Sequence, residues 1–442
     1  MGVAGDQLNI LLVCIGSAGD VHPFVGIGRW LRDRGHRVTV ITSAYFENLI
    51  RAQGLGFEPI STADDFLQLT RDPNLWHKSQ AWKPVFSSIL GERLRQVYQK
   101  IEQLHQPGRT ILVASSLALA ARCASEKLNI PLATVHLAPV VLRGSHNPPK
   151  LGGLWMPRWL PMFVKQGIWN FGDTHFVDPH ICPSLNAFRA EIGLPAVSKV
   201  LADWWNSPQL VLGLWPEFFG PMQPDWPAQV RLTGFPLYDE ADVSPIPTDI
   251  AHFLDTGDPP IVFTAGSAMF HAEAYFAAAT DTCRIMGRRG LLVTKDASQL
   301  PAALPDSVRH VSYSPFSKLF PRAAAVVHHG GIGTTAQALA AGVPQLVMPW
   351  AHDQFDNADR VRKLGAGRVF NPRRFRPWAV AKVLESLLKS TEIRDASVRV
   401  SRNFAGGDPL GKTCEQILQL NQFNTTSAAK PSDAEFCATK IA

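Results

Sequence analysis

Apolar and polar positions along the chain fall into two series of short buried runs separated by helical spacing. In the first series, apolar runs at residues 8–15, 37–42, 57–60, 110–114 and 132–135 read as strands. Between the first two, Phe24, Ile27 and Leu31 share one helical face. Pro23 is placed for the first turn of that helix, over residues 24–34, and Gly35 closes it. A long helical region at 80–105 is interrupted early by Pro84, and 117–127 is a further helix. The second series of strands runs at 261–264, 291–294, 310–312, 324–327 and 345–348. Residues 410–420 form a last amphipathic candidate. Near-continuous apolar runs alternating with helices predict α/β domains with doubly wound parallel sheets.

The two series divide the chain into residues 1–240 and 241–423. The division falls in a polar stretch at 236–260 carrying Pro236, Pro245, Pro247, Pro259 and Pro260. At 442 residues two domains are the expectation. Residues 137–227 interrupt the first domain with a proline-rich region holding Trp155, Trp159, Trp169, Trp204, Trp205, Trp215 and Trp226. That aromatic excess fits an apolar acceptor pocket, a membrane-facing patch or ordinary loop packing. Residues 424–442 are small and polar, and a mobile tail is expected.

Composition narrows the chemistry. A 46% apolar and 18% charged chain is globular, and a net charge of +6 does not demand nucleic acid. Six cysteines without metal-type spacing point to a reducing, cytoplasmic compartment. The run at 8–15 is too short to span a bilayer, and no secretory leader is expected.

The candidate chemistry centres on His328-His329-Gly330-Gly331-Ile332-Gly333-Thr334, where a strand meets a helix N-terminus. Glycines admit a phosphate to the backbone, and first-turn amides and the helix dipole favour its charge. One strand further on, Asp353, Gln354 and Asn357 suit sugar hydroxyls, so the pair suits a nucleotide-diphosphate sugar. Ser267, on another small-residue turn, is placed to share the diphosphate. Asp20 follows a strand and the turn Gly16-Ser17-Ala18-Gly19. It is read either as a helix cap or as a base taking a proton from an acceptor hydroxyl, with His22 beside it to tune it or to position the acceptor. Neither turn matches GxGxxG, and no GxxxxGK[ST] loop is present, which disfavours NAD and ATP chemistry. No carboxylate pair is spaced to hold a metal, so neither metal nor cofactor is expected.

Together these motifs resemble the inverting glycosyltransferases of family 1, whose fold, GT-B, sets two Rossmann-like domains about a cleft. HHGGIGTTAQALAAGVPQLVMPWAHDQFDN resembles the donor signature of that family, and GSAGDVHPF its opening turn. The resemblance implies that His328, Gly331, Gly333 and Thr334 contact donor phosphates, with Ser267 adding a contact. It implies base-binding at Tyr313 and Phe316, sugar-binding at Asp353 and Gln354, and a general base at Asp20. The implied activity is transfer of a hexosyl group from a nucleotide-diphosphate sugar to an apolar hydroxylated acceptor. Segments such as DPNLW and AHDQFDNA further resemble bacterial rhamnosyltransferases of glycolipid assembly, implying a dTDP-rhamnose donor. A peripheral membrane contact fits such an acceptor. An epimerase or hydrolase, or a non-catalytic binding subunit, remains a rival on the same fold.

Overall fold

The computed structural model describes residues 7–423 except 155, 158, 243, 268, 270 and 271. The expected tail at 424–442, Trp155 and Cys437 lie outside the described residues. The first domain holds β1 (Asn9–Val13), β2 (Arg37–Ser43), β3 (Gly56–Ser61), β4 (Thr110–Ser115), β5 (Leu132–His136), β6 (Leu210–Gly213) and β7 (Val230–Leu232). They form one parallel sheet in the order β3-β2-β1-β4-β5-β6-β7. The second holds β8 (Ile261–Thr264), β9 (Gly290–Val293), β10 (Val308–Val311), β11 (Ala325–His328), β12 (Gln345–Val347) and β13 (Gly367–Val369). Their order, β10-β9-β8-β11-β12-β13, is also all parallel. Strands such as Asn9–Val13 and Leu132–His136 are buried along their whole length, as helices on both faces require.

Six of the helices bear on the cleft and its surroundings: α1 (Ala18–Arg32), α2 (Met162–Gly172), α3 (Asp178–Glu191), α4 (Ile332–Ala340), α5 (Gln354–Lys363) and α6 (Pro409–Gln419). Helix α1 starts six residues earlier than the apolar spacing suggests. Ser17 is its N-cap, and Asp20 at N3 closes a capping box, so Pro23 sits inside the helix. The region 80–105 is two helices, Trp82–Ile89 and Glu92–Leu104. The break is at Gly91 (φ +63), not at Pro84, which occupies the first turn of the earlier helix, where a missing N–H leaves no bond unmade. The region 137–227 is more regular than expected, for it contains α2, α3 and strand β6.

The domain division at 240 needs one correction. Helix α6 lies in the second half of the sequence but packs on the first domain. There Cys414, Ile417 and Leu420 join Phe24, Ile27 and Leu31 in one core. Its amphipathic pattern announces a partner without saying which one. A second shared cluster joins the domains directly: Trp215, Phe219, Trp226 and Phe235 meet Ala336, Leu339, Ala358 and Val361. Burying such aromatic surface contributes roughly 2 kcal/mol or more per side chain. At its edge Arg360, paired to Asp356 at 2.6 Å, donates through Nη1 to the Phe219 carbonyl at 2.8 Å. The Lys150 amide donates to Asp356 at 2.9 Å.

Candidate active site

The carboxyl ends of both sheets face the interdomain cleft, and the second domain builds its side around β11. The chain leaves that strand through Gly330 (φ +93), and Gly331 caps α4. A side chain at Gly330 would meet Val347 at 2.8 Å, so both conformation and space call for glycine there. A Cβ on Gly333 would meet nothing within 4 Å, so this first turn is open to a ligand. Amides of the first helical turn have no intrahelical partner and carry the positive end of the dipole.

His328 does not reach that turn. It is fully buried; its Nδ1 accepts the Gly330 amide at 3.1 Å and its Nε2 donates to Gln345 Oε1 at 3.0 Å. Burial lowers its ring to about 4, so it is neutral and shapes the turn from below. The expectation that His328 contacts phosphate is therefore corrected: as the last residue of a central parallel strand, it points into the domain. Its neighbour His329 lies at the turn instead. The His329 ring lies between the two small-residue turns, where a Cβ on Gly331 would stand 2.3 Å from Nε2 and one on Gly266 2.6 Å from Cε1. Burial, then His328 and His352, lower it to about 3, and its Nδ1 has no partner among the described residues. Ser267, the residue after Gly266, is exposed.

Asp353 precedes α5 and reaches across to α4. Its carboxylate accepts the Asn357 amide at 2.7 Å, and the Ile332 amide donates to it. Asn357 also donates to the Gly330 carbonyl at 2.9 Å, which locks the glycine turn to α5. Burial pushes the Asp353 carboxyl up to about 7, Asn357 opposes the shift, and the charge of Asp20 raises it further. Gln354, expected on the sugar, is buried, and its carboxamide oxygen accepts the amides of Trp350 at 2.8 Å and Ala351 at 3.1 Å. It thus holds the loop that presents Asp353. In that loop His352 adopts φ +54, a conformation retained where surrounding structure demands it. Its ring stands 6.0 Å from that of Trp76, from the first domain.

Asp20 supplies the opposite wall. Its Oδ2 accepts the Ser17 amide at 2.7 Å and the Ser17 hydroxyl at 3.1 Å. It therefore caps α1 from N3, not as the N-cap residue itself. Desolvation raises its carboxyl, and the Ser17 bonds counteract. Gly16 (φ +140) is required here, since a Cβ on it would fall 2.3 Å from Asp20 Oδ2.

His22, expected beside Asp20, turns away from it. Its Nε2 lies 3.2 Å from Glu240 Oε1 in the interdomain connection. His22 holds Glu240 below the usual carboxylate range, and Lys295 and Tyr313 add to this. The Tyr313 hydroxyl donates to the Asp239 carbonyl at 2.7 Å, so its ring is held at the end of β10. Phe316 stacks on Phe320, with centroids 4.3 Å apart at 15°, and packs into the second domain. Of the two expected base-binding rings, Phe316 is half-buried and packs against that core cluster.

Two facing parallel-sheet domains, a glycine turn on a helix N-terminus and a carboxylate on each wall define a GT-B glycosyltransferase. Family models agree at both ends: residues 10–144 match the glycosyltransferase family 28 N-terminal domain, and 290–418 match the erythromycin biosynthesis protein CIII-like C-terminal domain. The chain is a glycosyltransferase with the GT-B fold. It is 27% identical over 431 residues to the O-mycaminosyltylonolide 6-deoxyallosyltransferase of Streptomyces fradiae, covering 95% of this chain and 99% of that one. It is 28% identical over 423 residues to the sterol 3-beta-glucosyltransferase of Candida albicans, covering 89% of this chain but spanning only 26% of that longer protein. Among solved structures, the calicheamicin glycosyltransferase CalG4 superposes with TM-score 0.66 at 20% identity, over 96% of this chain and 100% of that one. The spinosyn rhamnosyltransferase SpnG, complexed with thymidine diphosphate, gives 0.65 at 18% identity, over 91% and 98%.

Proposed function

We propose that the enzyme transfers a hexosyl group, with inversion, from a thymidine- or uridine-diphosphate sugar to a hydroxyl of an apolar acceptor. One observation carries this reading: the charge of Asp20, in the first domain, reaches the Asp353 carboxyl of the second. In the proposed mechanism Asp20 takes the acceptor proton as that oxygen attacks the anomeric carbon. Ser17 fixes its carboxylate, and burial keeps it basic enough for the task. The diphosphate leaves against the α4 amides, Gly331, Gly333, Thr334, His329 and Ser267, whose donors meet its developing charge. Asp353 holds sugar hydroxyls, and Tyr313 carries the base. Each of these groups acts without a metal or cofactor.

The names of the relatives support the substrate classes. They include macrolide, sterol and rhamnosyl transferases, so dTDP-rhamnose and a lipid or polyketide alcohol are the first donor and acceptor to try. A cytoplasmic site with peripheral membrane contact fits a lipid acceptor. Around α2, Trp159 (73% exposed), Phe163 (74%), Phe171 (58%) and Phe176 (59%) present aromatic surface, while no helix among the described residues is long and apolar enough to cross a bilayer. Co-sedimentation with anionic vesicles tests that contact, and an unbound Phe163→Ser variant alongside bound wild type is the expected result.

The main test is product formation by the purified enzyme from dTDP-rhamnose or UDP-glucose and a panel of hydroxy fatty acid, sterol and macrolide acceptors. Glycoside of inverted configuration supports the proposal. Donor consumption without acceptor, equal in its presence, would point to hydrolysis instead.

A further inference from the structure

The carboxyl ends of five neighbouring strands, β10-β9-β8-β11-β12, form the donor wall. Tyr313 stands two residues beyond β10, Lys295 two beyond β9, Gly266 two beyond β8 and Gly330 two beyond β11. Neighbouring strands are about 4.8 Å apart, so the Tyr313 ring and the glycine turn are separated by roughly 14 Å. A nucleoside diphosphate laid from one to the other passes over Lys295 before reaching the helix terminus.

A diphosphate ester carries two negative charges, yet the groups around the glycine turn bring no full positive one. His328 and His329 are held neutral, and backbone amides are dipoles. Across 265–267, 294–296, 312–315, 329–331 and 348–353, Lys295 is the one lysine or arginine. Its side chain is exposed and makes no ion pair within 4 Å among the described residues. Its ammonium lies 5.9 Å from the Tyr313 ring and 6.0 Å from that of Tyr45, which follows β2 in the other domain. The cation is therefore poised between the base platform and the opposite wall.

We propose that Lys295 binds the phosphate nearest the nucleoside, from between Tyr45 and Tyr313, and so supplies the site's positive charge. This rests on reading the cleft as a nucleotide-sugar donor site. A charge-assisted bond of this kind is worth about tenfold in affinity or more.

The test is calorimetric titration of wild type, Lys295→Met and Lys295→Arg with thymidine diphosphate and with thymidine. The expected result is a loss of about tenfold or more for thymidine diphosphate in Lys295→Met, with thymidine binding unchanged. Lys295→Arg keeps most of the affinity, and Lys295→Met shows a shallower dependence on salt than wild type. Equal affinity of wild type and Lys295→Met for thymidine diphosphate would overturn the role of Lys295 alone. Wild type that binds neither thymidine nor uridine diphosphate would overturn the donor reading with it. The exposed side chain leaves folding intact, which an unchanged thermal midpoint confirms.

Discussion

The charge of Asp20, in the first domain, reaches the Asp353 carboxyl of the second and adds to the rise that burial gives it. Two like charges held together in a partly dehydrated cleft are unfavourable unless a proton or a ligand stands between them. In the proposed mechanism the donor sugar, with hydroxyls for one carboxylate and an anomeric carbon for the other's acceptor, is such a ligand.

Replacing Asp20 with Asn is expected to lower kcat by about 10²–10⁴-fold while thymidine diphosphate binding holds. The variant keeps the shape of the Ser17 cap, so stability changes little. Steady-state rates with calorimetry separate the effects; near-wild-type turnover would remove Asp20 from proton transfer.

The pH dependence follows from the same group. As the proposed base Asp20 must act ionised, and burial raises its carboxyl above the ordinary value. Activity is therefore expected to fall on the acid side at a higher pH than a solvated aspartate would give. A kcat/KM profile that stays flat down to pH 4 contradicts this.

Asp353 links pH to stability with the opposite sign from a salt-bridged acid. Its carboxyl rises from 3.8 to about 7, so the folded state binds a proton that the unfolded chain has released. Its contribution is present below pH 4 and is lost as pH rises towards 7. Donor-free Asp353→Asn is thus expected to melt higher than wild type at pH 8, with a smaller gap at pH 5. Its KM for donor rises. Thermal melts at both pH values, with and without nucleotide sugar, check the sign.

The adjacent histidines are expected to separate by phenotype. His328→Ala leaves the Gly330 amide and the Gln345 oxygen unpaired inside the domain and costs about 1–3 kcal/mol of stability. His329→Ala removes a ring from the diphosphate turn and weakens nucleotide binding with a smaller loss of stability. Denaturant unfolding and nucleotide titration of both variants decide it; the reverse pattern would restore His328 to the phosphate.

The strands, the glycine turn and the two carboxylates were legible because each depends on local pattern: burial on both faces, a φ only glycine tolerates, a polar group just past a strand. His328 and His329 differ in role because one ends the strand and the other begins the turn, a one-residue boundary that periodicity does not resolve. Gln354 reads as a sugar ligand by position, but three-dimensional loop closure consumes its oxygen. His22 is drawn towards Asp20 by proximity in sequence, whereas two residues along a helix turn the side chain about 200° away. Lys295 carries no motif at all; only sheet order sets it between Tyr313 and the glycine turn.

Helix α6 returns to the first domain, so the polypeptide crosses the gap twice, once near Tyr238–Glu240 and once ahead of Pro409. A body tethered to its neighbour at two points swings far more easily than it twists or slides. The two straps, with the shared cluster of Trp215, Phe219, Ala336 and Leu339, thereby limit the relative motions open to the domains. Ending the chain before residue 409 would leave a single tether and would also strip Cys414 and Ile417 from the core of the first domain.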